Sequence, residues 1–340
     1  SGFDLGQGRE KTREEAAPVP EWKLPVQKRV SLRTISMEKR RSSFDEVALQ
    51  YTEEEVKKEA DRCLNCGLCC ECLQCVAVCQ AKAIDHTQKP ERLTLEVGSV
   101  VLAPGFEPFD AHLKGEYGYG RMPNVVTSLE FERILSASGP FQGTVRRPSD
   151  GRPPVKIAWI QCVGSRDVTC GRDYCSSVCC MYATKEAIIA REHDHSIQPT
   201  IFYNDIRAYG KGFERYYESA KEKFGVRYIN SLPSTVKELQ KSHNLLLEYT
   251  TEEGQKVQEE FEMVVLSVGV VSSEETRELA QRLGVRLDQF GFCAGEELRP
   301  NLTSRPGVYV AGAFGGPPDI PESVMSASAA ACLAGQDIHQ

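Results

Sequence analysis

The chain has 340 residues, of which 41% are hydrophobic and 26% charged, with a net charge of −7. This composition belongs to a folded globular protein of two or three packed units. The acidic balance excludes bulk attraction to nucleic acid or an anionic membrane, and no apolar run reaches the length of a membrane span, so membrane insertion is not expected.

Residues 1–50 read as a linker or arm. Pro18, Pro20 and Pro25 interrupt any helix, and residues 28–41 are basic and poor in apolar side chains, as suits a solvated connector or a docking arm. Thr52-Glu-Glu-Glu55 is a capping box that predicts a helix over 53–62, supported by an i,i+4 pair of Glu54 with Lys58 and leading into Cys63.

A cysteine-rich module over 51–92 follows from that helix. Seven of the 14 cysteines lie between Cys63 and Cys79. Cys69-x2-Cys72-x2-Cys75-x3-Cys79 has the spacing of a bacterial ferredoxin loop around a [4Fe–4S] cube, with Cys63 and Cys66 as further candidate ligands. Zinc ribbons separate their pairs by roughly 15–20 residues, and these pairs nearly touch. Disulfides at this spacing would be badly strained. Thiolate ligation of iron is therefore expected, in one cube or two, since seven thiols fall one short of two fully ligated cubes. Cluster thiolates, with no secretory signal in view, point to a cytoplasmic location.

Leu93, Leu95 and Val97 alternate as a half-buried strand does, and Val100-Val-Leu-Ala103 reads as a buried strand ending at Pro104-Gly105. Thr127-Ser-Leu-Glu130 is a second capping box, opening a helix to about Ala137 with Gly139 as its stop. From Val155 onward strands alternate with helices: strand 156–161, helix 174–193, strand 200–203, helix 211–224, strand 227–229. Three alternating segments near 234–239, 244–249 and 256–261 precede a buried strand at 263–266. A helix over 274–283, a strand at 308–310 and a small-residue helix over 322–334 complete the chain. The pattern predicts an α/β fold, a parallel doubly wound sheet with a meander beside it. It is the order of the nucleotide domain in flavoproteins with two dinucleotide-binding domains.

In such a domain the first strand runs into G-x-G-x-x-G, whose glycines admit a pyrophosphate to the helix N-terminus. Here strand 156–161 runs into Cys162-Val-Gly164-Ser-Arg166-Asp, and Tyr174-Cys175-Ser-Ser-Val-Cys179-Cys180 opens the helix. Cys162, Cys175, Cys179 and Cys180 can converge there to hold a second cluster, with Cys175 and Cys179 one helical turn apart. Buried core cysteines are the other reading of the same residues. Cys170 has no evident partner, and Cys293 and Cys332 read as packing.

Ile160-Gln-Cys-Val-Gly-Ser-Arg-Asp167, Tyr174-Cys-Ser-Ser-Val-Cys-Cys-Met-Tyr-Ala-Thr-Lys-Glu-Ala187, Ile206-Arg-Ala-Tyr-Gly-Lys-Gly-Phe213, Val265-Leu-Ser-Val-Gly269 and Gly312-Ala-Phe-Gly-Gly-Pro-Pro-Asp-Ile-Pro-Glu-Ser323 resemble the A-subunit family of heterodisulfide reductases over about 94–331. The Cys63–Cys79 stretch is similar to the modules attached to glutamate-synthase small-subunit-like flavoproteins, with Gln80 where ferredoxins usually have Pro. The resemblance implies a thioredoxin-reductase-like doubly wound fold with a small ferredoxin-like module. Residues 93–154 and 271–340 would form an FAD domain, and 155–270 a remodelled nucleotide-type domain. It further implies that Cys162, Cys175, Cys179 and Cys180 ligate a [4Fe–4S] cluster, making two or three clusters in all. Ala103, Pro104 and Gly105 would take the place of the family's Ala-Thr-Gly turn, and Gly312 and Ala313 would approach the ribityl chain and pyrophosphate of FAD. Pro321, Glu322, Ser323 and Val324 would begin a helix aimed at the isoalloxazine.

The function implied is that of an electron-transfer subunit of an iron–sulfur flavoprotein oxidoreductase, working with partner redox subunits. Rival readings are a flavin-free electron relay or scaffold and an NAD(P)H-dependent glutamate-synthase-like small subunit. The family's first G-x-G-x-x-G and its earlier ferredoxin-type motif do not occur in the 340 residues. Both would precede Ser1, so the chain is expected to be a fragment, a processed piece or half of a split protein, and to hold FAD poorly by itself.

Overall fold

The computed structural model describes residues 28–60, 73–137, 139–296 and 298–338. They fall into two units, Ser1–Thr94 and Leu95–Gln340. Among the described residues no helix is long and apolar enough to cross a membrane.

In the first unit, residues 28–50, expected to be a connector or docking arm, are mostly exposed and fold back on themselves. Helix α1 (Met37–Ser42) is capped by Ser36, whose Oγ accepts the Lys39 N–H at 3.3 Å. Its flanks pair through Ile35 N–H to Val47 O at 3.0 Å and Leu49 N–H to Arg33 O at 2.8 Å. The Arg33 guanidinium closes the loop on Gln50 O and Glu55. Helix α2 (Glu53–Ala60) opens on the expected capping box, with Thr52 N–H on Glu55 Oε2 at 2.8 Å and Glu55 N–H on Thr52 Oγ1 at 3.3 Å. Its i,i+4 pair is Glu53 with Lys57, one residue before the expected one. A short helix, α3 (Gln74–Val78), ends at Cys79.

The second unit contains, in order, β1 (Val100–Leu102), β2 (Glu107–Pro108), β3 (Val125–Thr127), α4 (Ser128–Leu135), β4 (Lys156–Val163), α5 (Cys179–His193), β5 (Gln198–Tyr203), α6 (Phe213–Glu222) and β6 (Arg227–Asn230). There follow β7 (Val236–Leu239), β8 (Asn244–Thr250), β9 (Lys256–Phe261), β10 (Met263–Val268), β11 (Val270–Val271), α7 (Glu274–Leu283), β12 (Val308–Val310) and α8 (Ile320–Ile338). The central sheet has the order β3-β10-β4-β5-β6, parallel throughout.

Strand alternation sends successive side chains to opposite faces of this sheet. Ile157, Trp159, Ile201, Met263 and Val265 pack under α4, α5 and α6, with Phe131 edge-on to Trp159 at 5.3 Å. Ala158, Ile160, Phe202, Val264 and Leu266 pack on the other face, against Leu245, Leu247 and Phe261 of the β7-β8-β9 meander. The meander expected beside the sheet therefore covers one of its faces. Residues 125–135, grouped by sequence with the flavin-side segment, instead supply the edge strand β3 and helix α4 of this central layer.

A second parallel pair, β1 with β12, carries its own core of Leu102, Ala280, Val308, Val310 and Phe314. Residues 93–97 form no strand: Leu93, Leu95 and Val97 are all exposed. Alternation alone predicted a strand there, but among the described residues no strand pairs with these five, and a strand needs a ladder partner.

Candidate functional site

At the C-terminal end of β4 the backbone departs from ordinary strand geometry. The register against β10 shifts between Leu266 and Val268, and Cys162 adopts φ +60°, a left-handed conformation that costs a side-chain-bearing residue about 1–2 kcal/mol. Gly164 follows at φ +73°, and a Cβ there would lie 2.0 Å from Phe109 Cγ. The turn that would admit a pyrophosphate is thus occupied by an aromatic ring. Beyond it the insertion is clasped shut. Ser176 donates to Ser165 Oγ through its N–H at 2.9 Å and its hydroxyl at 3.0 Å, and Val270 N–H donates to Ser176 Oγ at 2.9 Å. Lys114 Nζ reaches Asp167 Oδ2 at 2.7 Å, and Asp167 Oδ1 accepts from Thr169 N–H at 2.9 Å.

Four thiols gather at this turn. The helix expected from residue 174 begins at Cys179, so Cys175 stands in the preceding loop, held by Ser177 N–H on its Sγ at 3.3 Å. Ser177, at φ +63°, and the buried Ser165–Ser176 clasp stop the helix from extending back. Cys179 and Cys180 are buried in the first turn of α5; their Sγ atoms lie 3.8 Å from Val268 O and 3.7 Å from Asp205 O. Burial pushes the Cys162 thiol up to about 11; Cys180 and Cys175 add to the rise, while Arg166 and Arg207 oppose it. Burial likewise raises Cys179, with Cys162, Cys180 and Cys175 contributing, and raises Cys180. Cys162, Cys179 and Cys180 are each raised in part by other cysteines of the set, which places the thiols within electrostatic reach of one another. Arg166 and Arg207 flank them, both bonded to Asp205 Oδ2, at 3.2 and 3.4 Å.

Among the described residues no three His, Cys, Asp or Glu side chains are arranged to hold a single metal ion. A [4Fe–4S] cube makes a different demand, because its four thiolates bind four separate irons and stand further apart than ligands of one ion. The surroundings fit a polar guest. Gln161 Nε2 and Oε1 and Ser267 Oγ are buried without hydrogen-bond partners among the described residues. By alternation Gln161 and Ser267 belong to the sheet face covered by α5, beyond Trp159 and Val265. Unmet polar groups are costly in a dry core, and N–H or O–H donors beside a cluster bond its sulfurs.

The residues matched to flavin binding lie along the open side of β1–β12. Ala103 and Pro104 are exposed and Gly105 has φ +84°. Gly312 has φ +62°, and a Cβ at either glycine would meet nothing within 4 Å. A groove of about 550 Å³ runs past Gly312, Gly316, Glu322 and Met325, with Ala313 half-buried beside it. Helix α8 starts at Ile320, before the expected Glu322, and is capped reciprocally: Glu322 N–H donates to Asp319 Oδ1 at 2.8 Å and Asp319 N–H to Glu322 Oε2 at 2.9 Å. Its positive end therefore already faces two carboxylates. Pro321 and Val324 are exposed and Ser323 donates to Asp319 O at 2.8 Å. Tyr209 reaches Glu322 Oε1 at 3.5 Å, linking the 206–213 motif to this helix.

In the first unit, Cys75 is exposed with its Sγ 3.7 Å from His86 Nε2, and Cys79 accepts the Ala83 N–H at 3.4 Å. Cys63, Cys66, Cys69 and Cys72 lie outside the described residues. Cys293 is buried in the β1–β12 core, as expected, whereas Cys332 is exposed. Cys170 is half-buried with its thiol 3.6 Å from Asp167 Oδ2.

Residues 35–331 match the family described as pyridine nucleotide-disulphide oxidoreductase. The chain belongs to that family. It is 43% identical over 271 residues to the A subunit of the H(2):CoB-CoM heterodisulfide,ferredoxin reductase of Methanothermobacter thermautotrophicus, covering 78% of this chain and 41% of that protein. It is 43% identical over 278 residues to the iron–sulfur A subunit of the CoB–CoM heterodisulfide reductase of Methanocaldococcus jannaschii, covering 80% and 41%. The chain thus spans about two fifths of the length of these relatives. Thioredoxin reductase from T. acidophilum aligns at a TM-score of 0.47 and 17% identity, over 71% of this chain and 66% of that one.

Gln161, Tyr182, Glu186 and Ser267 join the site without having stood out as candidates in the sequence. Two of them carried a signal. Gln161 is an amide at the end of an otherwise apolar strand, and Glu186 is a charge among the alanines of a buried helical stripe.

Proposed function

We propose that this chain acts as the electron-transfer subunit of an iron–sulfur flavoprotein complex, in the manner of the A subunit of heterodisulfide reductases. Electrons pass between [4Fe–4S] clusters and FAD, and partner redox subunits carry the terminal reactions. The relatives' names indicate those reactions: H2 or formate on one side, the CoB–CoM disulfide and ferredoxin on the other. The observation that carries the reading is the packed turn after β4, where Phe109 packs on Gly164 and Cys162 lies within electrostatic reach of Cys175 and Cys180.

Cys162, Cys175, Cys179 and Cys180 would hold one cluster, and Cys63, Cys66, Cys69, Cys72, Cys75 and Cys79 one or two more. When bound, clusters carry single electrons and FAD carries pairs. The chain's own residues prepare the site for that role. Arg166 and Arg207 offset negative charge, and the Ser165–Ser176 clasp fixes the loop bearing Cys175. Gly105 and Gly312 leave an open wall for the flavin, with Ala103, Pro104, Ala313 and the start of α8 around it. The acidic cap at Asp319 and Glu322 favours a neutral or protonated neighbour over an anionic one.

The reading is tested by iron, sulfide and flavin per chain in an anaerobic preparation. Iron and sulfide in equal amounts, at four or more of each per chain, support it. Saturable NAD(P)H binding in place of iron would favour the glutamate-synthase-like alternative.

A further inference from the structure

Helix α5 carries one buried carboxyl that the electron-transfer reading does not use. Glu186 is fully buried; its Oε2 accepts the Trp159 indole N–H at 2.8 Å, and its Oε1 has no partner among the described residues. Cys179, Tyr182 and Glu186 stand at i, i+3 and i+7, so they form one stripe along the helix. Seven residues at 1.5 Å each put Glu186 about 10 Å along the axis from Cys179. Glu186 and Tyr182 also line a cavity of about 420 Å³, together with Ser128, Glu132, Lys185 and Val268. Lys185 and Glu132 form a 2.5 Å ion pair with side chains 45% and 35% exposed, which places polar groups in contact with water at the cavity mouth. The rest of its lining is largely apolar, so the room it offers water lies along the polar side formed by Ser128, Glu132, Lys185 and Glu186.

We propose that Glu186 is the proton-holding partner of the four-cysteine site: an electron arriving there is matched by a proton taken up on Glu186. The inference rests on the site bearing a cluster. The balance is simple. One electron from a one-electron donor adds one negative charge at the cysteines, and, at a pH where Glu186 is ionised in the oxidised chain, one proton from water converts its carboxylate to the carboxylic acid. No bond to carbon or sulfur is made or broken.

The surroundings suit this role. Burial holds the Glu186 carboxyl well above the usual carboxylate range, the Trp159 N–H pulls it down, and across the cavity Glu132 raises it while Lys185 lowers it. Tyr182 and Cys179, both also raised by burial, are the other titratable groups on this stripe. A unit charge about 10 Å away through a protein interior changes a proton affinity by about tenfold. That is enough to couple the two events while leaving Glu186 out of the ligand set.

The test uses the full chain loaded anaerobically with iron and sulfide and reduced with dithionite. The signal of this site is the part of the electron paramagnetic resonance spectrum that Cys179→Ala removes. In the native chain its midpoint potential should fall as pH rises, by about 59 mV in total for a tenfold coupling at one electron. Glu186→Gln, which can still accept from Trp159, should abolish the fall. Trp159→Phe, which removes the donor favouring the carboxylate, should displace it to higher pH. Reduced-minus-oxidised infrared spectra of the native chain should gain a carboxylic acid C=O band that Glu186→Gln lacks. A native potential that is independent of pH, with the signal present, would overturn this inference and leave the cluster reading standing. No iron and no signal would overturn both.

Discussion

The Tyr182 hydroxyl and the Cys179 thiol donate to the same backbone carbonyl, that of Val268, at 2.8 and 3.8 Å. This shared acceptor ties the first turn of α5 to the end of β10, next to the register shift that follows Leu266. A cluster thiolate has no proton to donate, so in the loaded chain the Tyr182 hydroxyl is the side-chain donor left to this buried carbonyl. Tyr182→Phe should therefore cost about 1–3 kcal/mol of unfolding free energy in denaturant titration, the penalty of an unmet buried acceptor, and leave the iron content unchanged. A loss of iron in that variant would make Tyr182 part of the ligand scaffold.

The cysteine loop is anchored by charge. Burial alone would raise Asp167, but its bonds to Lys114 and Thr169 outweigh that and hold its carboxyl well below the ordinary 3.8. Burial alone would lower Lys114, but Asp167 and Glu116 hold it above the ordinary 10.5. A depressed carboxylate stabilises above its unfolded value and loses that contribution as pH falls through the folded one; a raised amine does the reverse at high pH. Normalised to trypsin's own activity at each pH, cleavage at Arg166 and Arg172 should thus stay slow and flat between about pH 5 and 9. Asp167→Asn should speed it in that whole window and cost about 2 kcal/mol, the worth of a charge-assisted bond.

Nicotinamide should not bind. A Cβ at Gly269 would lie 2.8 Å from Ser176 Oγ and 2.9 Å from Ser165 Cβ, and one at Gly164 would meet Phe109, so the turn is tightly packed where a phosphate loop is open. Fluorescence titration of the anaerobic chain with NADH and NADPH should show no saturation. Micromolar affinity for either would contradict the packing argument.

Gln161 offers a way to tell a cluster site from a core. Its amide is buried without a partner among the described residues, so Gln161→Leu should leave the metal-free chain equally or more stable. In the loaded chain the same change removes an N–H donor to the cluster region. The midpoint potential should then drop by about 20–60 mV, the equivalent of one net hydrogen bond. An unchanged potential would place the amide away from the guest.

The order of strands and helices was legible because alternation and capping act locally. Thr52 and Thr127 begin their helices by reciprocal bonds three residues apart, which a sequence displays openly. What it did not display were effects settled by tertiary neighbours. Val125–Thr127 is only three residues long and becomes a strand through its ladder with β10. Leu93, Leu95 and Val97 alternate but find no partner strand among the described residues. Cys175 reads as helical because nothing local signals the Ser165–Ser176 clasp, whose two halves are 11 residues apart. The acid pair at Asp319 and Glu322 is visible in the chain, yet its reciprocal capping follows only from the start of α8 at Ile320.

The central claim, that the turn after β4 is a cluster site and not a packed core, is tested most directly by metal analysis of two single variants of the full chain. Cys179→Ala should lose about four irons and four sulfides per chain relative to the unaltered protein, the content of one cube, while its circular dichroism stays native. Cys293→Ala, which opens a comparable space in the β1–β12 core, should lose none. Equal iron in both variants and the unaltered chain, with the fold intact, would contradict the claim and return Cys162, Cys175, Cys179 and Cys180 to the hydrophobic core.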